Sequence, residues 1–237
     1  MAKDIAVFYH IWTSNDAYVA RFLVDEQIKR LIRAGLHETA DVYCCVTGSH
    51  CEVMESVLAH YPWLQVLETN CPEEEFEMGT LKHLYSYCLS NPNLRAVGYF
   101  HTKGLIYYSS AANPDGPNMS AVNSWRHMLE WGNLDRWREA VAALEENDVV
   151  GVNLMTEPFV HFSGNFWWAR PQHIAHLSDP RIAITGHSGR HAAESWIGSA
   201  TDSFEVASLY GYPFPTKDGI RHMDPYFSDL GIIYLQQ

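Results

Sequence analysis

The sequence predicts an α/β fold: a mostly parallel central sheet with helices on both faces, in one domain spanning residues 1–237. Three observations carry that expectation. Short apolar runs rich in Ile, Val and aromatics alternate with segments of helical periodicity over the first 100 residues. No linker, internal repeat or low-complexity tract divides the chain. Hydrophobic residues make up 47% of the chain and charged residues 19%, a balance that supports a sizeable core and excludes intrinsic disorder.

Each element has a local reason. Residues 5–11 form a continuous apolar run and read as a buried strand. Asn15 or Asp16 can cap the helix that follows, whose apolar positions Val19, Phe22, Leu23, Ile28, Leu31 and Ile32 recur at roughly helical spacing until Gly35. Residues 41–47 read as a second strand, 51–60 as a helix ending before Pro62, and 64–67 as a short third strand. Residues 80–89 read as a helix broken by Asn91-Pro92-Asn93, and 95–101 as a fourth strand. Beyond a Ser-, Asn-, Pro- and Gly-rich loop at 109–118 come helices at 121–131 and 134–146, a strand at 148–153 and another within 159–169. Pro171 suits the first turn of a helix. Residues 186–191 read as a polar turn, 192–198 as helical, and the last 30 residues, with three prolines, as irregular.

Charge narrows the function classes. The net charge of −12 opposes nucleic-acid binding and docking on an anionic membrane, because both need clustered Lys and Arg. It does not oppose a diphosphate held by one well-placed cation and backbone N–H groups. Five cysteines lack Cys-x-x-Cys spacing and read as buried, reduced thiols of a cytoplasmic protein. Neither a signal peptide nor a transmembrane segment is expected. His187 and His191 are four apart, but Gly189 lies between them and there is no His-Glu-x-x-His, which argues against a zinc hydrolase. Nor is there a Gly-x-Ser-x-Gly nucleophile elbow.

Three segments place polar groups beside Gly and large aromatics: residues 99–104 (Tyr-Phe-His-Thr-Lys-Gly), 124–126 (Ser-Trp-Arg) and 162–170 (Phe-Ser-Gly-Asn-Phe-Trp-Trp-Ala-Arg). Such a set suits a pocket that stacks on sugars and bases, although any one aromatic can equally be core. Ligands of open parallel sheets bind at the carboxyl ends of strands, and His101-Thr102-Lys103 ends the fourth.

In this order the three segments resemble the bacterial polysaccharide glycosyltransferases of the rhamnan-synthesis protein F type, and a related group carrying a Ser-Gly-Asn-Phe-Trp-Trp-Ala signature. The shared pattern here is His101-Thr102-Lys103, Trp125-Arg126 and Gly164-Asn165-Phe166-Trp167, within a similarity running from about residue 4 to 200. The resemblance implies a GT-A-like domain with a nucleotide-sugar donor and a glycan or glycolipid acceptor, working in polysaccharide biosynthesis, either with a divalent cation (Mn²⁺ or Mg²⁺) or independent of metal. Residues 1–104 would be the donor half and 105–237 the acceptor half. The chain departs from the pattern twice. Residues 77–81 lack the Arg-Asp of the rhamnan type, and no Asp-x-Asp, the usual metal-binding motif, occurs anywhere. His101-Thr102-Lys103 occupies the place of that motif, so both a metal-dependent and a metal-independent reaction stay open.

Breaking a sugar–diphosphate bond leaves negative charge that must be stabilised. Lys103 is the candidate point charge for it, with His101 donating a hydrogen bond or ligating a metal. An inverting transfer also needs a base, and Glu194 is the candidate; the alternative for it is a carboxylate favoured by a helix start. Tyr9, His10 and Thr13, at the end of the first strand, are candidates for the donor, as are Glu77, Thr80 and Thr102. Arg126 can pair with a phosphate or lock the fold through a buried carboxylate. Ser163, Gly164, Asn165, Trp167 and Trp196 are candidates for the acceptor or sugar. Two other functions compete: a carbohydrate- or nucleotide-binding module without turnover, and a sugar-phosphate hydrolase using Glu194.

Overall fold

The computed structural model describes residues 3–13, 16–71, 75–105, 108, 119–183 and 190–210. Its centre is a seven-stranded sheet. The strands are β1 (Ile5–Thr13), β2 (Asp41–Gly48), β3 (Leu64–Cys71), β4 (Ala96–His101), β5 (Val149–Val152), β8 (Trp167–Ala169) and β9 (Val206–Tyr210). They lie in the order β3-β2-β1-β4-β8-β5-β9, and β6 (Leu154–Met155) pairs with β7 (His161–Phe162) in a separate hairpin. All pairings in the large sheet are parallel except those of β8, which runs antiparallel to both β4 and β5.

Side-chain alternation along β1 sends its residues into two helix layers. Val7, Tyr9 and Ile11 join α1 (Ala17–Arg33), α3 (Cys51–Leu58), α5 (Met119–Glu130) and α6 (Trp137–Ala143) in one core. Ala6 and Phe8 join α4 (Met78–Ser90), α7 (Pro171–His176) and α9 (Arg190–Trp196) in the other. The α2 turn (Leu36–Thr39) follows α1, and α8 (Pro180–Ala183) precedes α9. Both faces of the sheet are thus covered, as a parallel sheet requires.

Most local expectations hold. Asp16 caps α1 by accepting from the Tyr18 and Val19 N–H groups. Gly35 takes φ +73° just past α1, and Pro171 occupies the first turn of α7. The five cysteines are free and buried. Four readings change. β3 extends to Cys71, because an edge strand tolerates the polar Glu68, Thr69 and Asn70 that ended the apolar run. Phe22 and Ile32 leave the apolar face of α1; Phe22 is 71% exposed. A π-helical turn, Trp131–Asp135, joins α5 to α6. β9 runs into the start of the last 30 residues, which read as irregular, and pairs with β5. The loop at 109–118, His187, Gly189 and residues 211–237 lie outside the described residues. Among the described residues, no helix is long and apolar enough to cross a membrane.

Candidate functional site

Chain order reverses at the middle of the sheet. β1 is followed outward by β2 and β3 on one side, while β4 lies on its other side. Crossovers from the two sides diverge there, and the carboxyl ends of β1 and β4 form the kind of switch point at which open α/β sheets bind ligands. Because β8 is antiparallel, its beginning lies at that same rim, which brings residues 163–166 beside the end of β4. The helix α4 also starts at the rim, after β3.

These elements gather one polar cluster. His101 Nε2 donates to the Gly164 carbonyl at 2.9 Å, and its Nδ1 lies 3.6 Å from Glu77 Oε1. The other Glu77 oxygen accepts from the Tyr99 hydroxyl (3.0 Å) and from Asn165 Nδ2 (2.5 Å). Burial, with the Glu77 charge second, pushes the Tyr99 phenol well above its ordinary pKa, so it stays a donor. Asn165 also accepts from the Trp167 indole at 2.9 Å and takes φ +58°, a left-handed conformation that Asn tolerates. Lys103 is 3% exposed, with its ammonium 4.5 Å from the centre of the Trp125 ring. His101, Thr102 and Lys103 are all buried, and Thr102 ties the strand end to β1 by accepting from the Trp12 N–H (2.8 Å) and donating to the Trp12 carbonyl (3.1 Å).

Gly164 is required by its surroundings. It takes φ +99°, and a Cβ there would lie 2.4 Å from Leu129 Cδ1 and 3.3 Å from Trp125 Cζ2. Gly164→Ala is therefore expected to cost about 1–3 kcal/mol of stability, read as a fall in the denaturant midpoint at unchanged slope.

His10 is buried one position along β1 from the Tyr9 ring, and its Nδ1 is 2.8 Å from the Thr80 hydroxyl. Burial lowers its pKa to about 4, so the ring is neutral at pH 7. In the unfolded chain it titrates near 6.5. Between those values the unfolded state binds the extra proton, so stability is complete above about pH 6.5 and falls as the pH drops towards 4. The full loss is about 3 kcal/mol. A His10→Asn variant, whose side chain does not titrate, should flatten the melting-temperature profile across that window.

Several candidates are placed differently from their sequence reading. Arg126 donates to Glu26 and to Glu130, each at 3.0 Å, so its guanidinium locks the fold rather than awaiting a phosphate. Tyr9 is fully buried and donates to Gln27 Oε1 at 2.6 Å. Trp167 and Trp196 are 0% and 1% exposed, and the Trp196 indole donates to the Ser178 carbonyl. Neither ring presents a face to a sugar. Thr80 is buried against His10, and Asn165 spends its amide on Glu77 and Trp167. Thr13 donates to the Thr47 carbonyl (3.1 Å) and accepts from the His50 N–H (3.1 Å), a link between the ends of β1 and β2. Ser163 is half-buried on the loop before β8. Glu194 is half-buried and fifth of seven residues in α9, which removes the helix-start explanation. It adjoins the cluster through Ala193, whose carbonyl lies 3.4 Å from Asn165 Nδ2.

Sequence reasoning missed the buried pair Gln27 and Glu130. Their signal was present: each is a polar residue inside an apolar helical stripe, Gln27 between Val24 and Leu31 and Glu130 between Leu129 and Leu134. Among the described residues, no group of three or more His, Cys, Asp or Glu side chains is arranged to hold a metal. Glu77 and His101 make two such ligands.

Residues 8–183 match the model of a family described as a domain of unknown function, DUF8361. The chain belongs to that family. No curated protein matches this DUF8361 chain. Among solved structures it is similar to a candidate nucleotide-diphospho-sugar transferase from Desulfovibrio desulfuricans G20, with 11% identity and a TM-score of 0.45 over 88% of this chain and 80% of that one. It is similar to 4-diphosphocytidyl-2C-methyl-D-erythritol synthase from Anaerococcus prevotii DSM 20548, with 10% identity and a TM-score of 0.47 over 99% of each chain. A third likeness, to the glycosyltransferase GlyE of Streptococcus pneumoniae TIGR4, has 12% identity and a TM-score of 0.39 over 88% of this chain and 45% of that one.

Proposed function

We propose that the chain is a glycosyltransferase that moves a sugar from a nucleotide-diphosphate sugar to a glycan or glycolipid acceptor, with inversion, in polysaccharide biosynthesis. One observation carries the reading: the Lys103 ammonium is buried at the carboxyl rim of β4, over Trp125 and two residues from His101. An ammonium at the carboxyl end of a parallel strand, where open α/β sheets bind ligands, is placed to meet the charge of a departing diphosphate.

The roles follow from position. Lys103 stabilises charge on the leaving diphosphate, and His101, held by Gly164 and Glu77, adds a second polar group beside it. Glu194 takes the proton from the acceptor hydroxyl. Glu77 orients His101 and Asn165. Residues 1–104 supply most of the donor side and 105–237 the acceptor side. A divalent cation, if used, would be held by Glu77 and His101 and would supply positive charge to the leaving diphosphate.

The test is a thermal-shift screen of nucleotides and nucleotide sugars, with and without Mn²⁺, followed by donor hydrolysis. A ligand present at 100 times its Kd raises stability by about 2.7 kcal/mol. A melting-temperature rise with one nucleotide-sugar class, and slow hydrolysis of the same donor, are expected. Binding without hydrolysis or transfer would favour a non-catalytic module; no binding by any member would overturn the reading.

A further inference from the structure

A buried polar cluster lies under the site, not in it. Gln27, on α1, is completely buried. Its Oε1 accepts from the Tyr9 hydroxyl at 2.6 Å, and its Nε2 donates to Glu130 Oε1 at 2.7 Å and to the backbone carbonyl of His101 at 3.3 Å. Nε2 faces a carboxylate and a carbonyl, both acceptors only, so the amide has one permitted orientation. Glu130 is also completely buried, accepts from Arg126 and lies 3.4 Å from Arg30 Nη1. Arg126 follows Trp125, the ring beneath Lys103. A π-helical turn begins directly after Glu130, and such turns are often found at functional sites.

Burying a carboxylate and two guanidinium groups contributes little net stability compared with apolar packing. What the cluster does achieve is geometric. From one buried carboxylate, one branch reaches the His101 main chain through Gln27 and the other reaches Trp125 through Arg126. We propose that Gln27 is a positioning residue: anchored by Glu130 and Tyr9, it sets the backbone of the His101–Lys103 segment and thereby the anion-binding geometry at the rim. This rests on the proposed function for the identity of the anion, but not for the positioning itself.

The test compares Gln27→Met with Glu26→Gln. Met keeps the volume of Gln27 and removes its bond to His101. Glu26 belongs to the same ion cluster through Arg126 but makes no bond to Gln27 or His101, so its variant reports simple loosening of the cluster. The probe is inorganic pyrophosphate, measured by calorimetry on the full chain. Gln27→Met is expected to weaken binding about tenfold, the loss of roughly one hydrogen bond's worth of order, while Glu26→Gln changes it less than twofold. Equal weakening in both, or none in Gln27→Met, overturns the proposal. Should the unmodified protein bind neither pyrophosphate nor any nucleotide sugar, the functional reading fails and the positioning is read instead from the His101 imidazole NMR signals, assigned with His101→Gln. A displacement in Gln27→Met that is absent in Glu26→Gln supports it; identical spectra sink it. If Gln27→Met does not fold, Gln27→Leu with Tyr9→Phe, which leaves no orphaned phenol, takes its place in the same comparison.

Discussion

Lys103→Met is expected to lower donor turnover by about 10²- to 10³-fold, the usual loss when one stabiliser of developing charge is removed. Met preserves the apolar stem, so packing against Trp125 is kept and only the ammonium is lost. The melting temperature, read on the same sample, separates a loss of chemistry from a loss of fold. The loss should fall on kcat more than on KM if the lysine acts on the leaving group in the transition state. Lys103→Arg is not expected to restore activity: a planar guanidinium cannot reproduce a compact point charge packed over an indole ring. Undiminished turnover in Lys103→Met would remove the lysine from the mechanism.

Glu194→Gln is expected to lower transfer by about 10²- to 10⁴-fold while leaving donor affinity unchanged. The substitution keeps size and hydrogen-bonding reach but cannot accept a proton at neutral pH. Donor hydrolysis should fall with transfer if Glu194 also activates water. Parallel loss of donor binding and turnover would instead assign Glu194 a structural part in α9, whose Ala193 carbonyl lies near the Asn165 amide. The product's anomeric configuration, read by NMR, tests inversion separately, and a hydrolase would show no dependence on acceptor.

Much of the frame was legible in the sequence because the signals were local. The apolar run of β1, the Asp16 cap and Pro171 each declare their structure within a few residues. The reach of β3, the strand β9 and the antiparallel course of β8 were not legible, since each depends on a partner far along the chain. The site divides in the same way. A strand ending in His-Thr-Lys, at the carboxyl end where parallel sheets bind ligands, could be read from order and position. That Asn165 would turn inward to Glu77, that Trp167 and Trp196 would be core, and that Arg126 would meet Glu130 required three-dimensional neighbours. Aromatic residues were overread as ligand surface because stacking on a sugar and packing in a core demand the same side chains.

The placement of β8 has a consequence for synthesis on the ribosome. β4 leaves the translation machinery some 65 residues ahead of the strand that will sit against it, and β5 emerges in between without taking that place. Until Ala169 is out, the nascent sheet carries a bare flank at β4, the kind of edge that recruits stray strands. The rim around His101 can therefore mature only once that flank is sealed, and a stalled or truncated translation product should be prone to clumping and unable to hold a ligand.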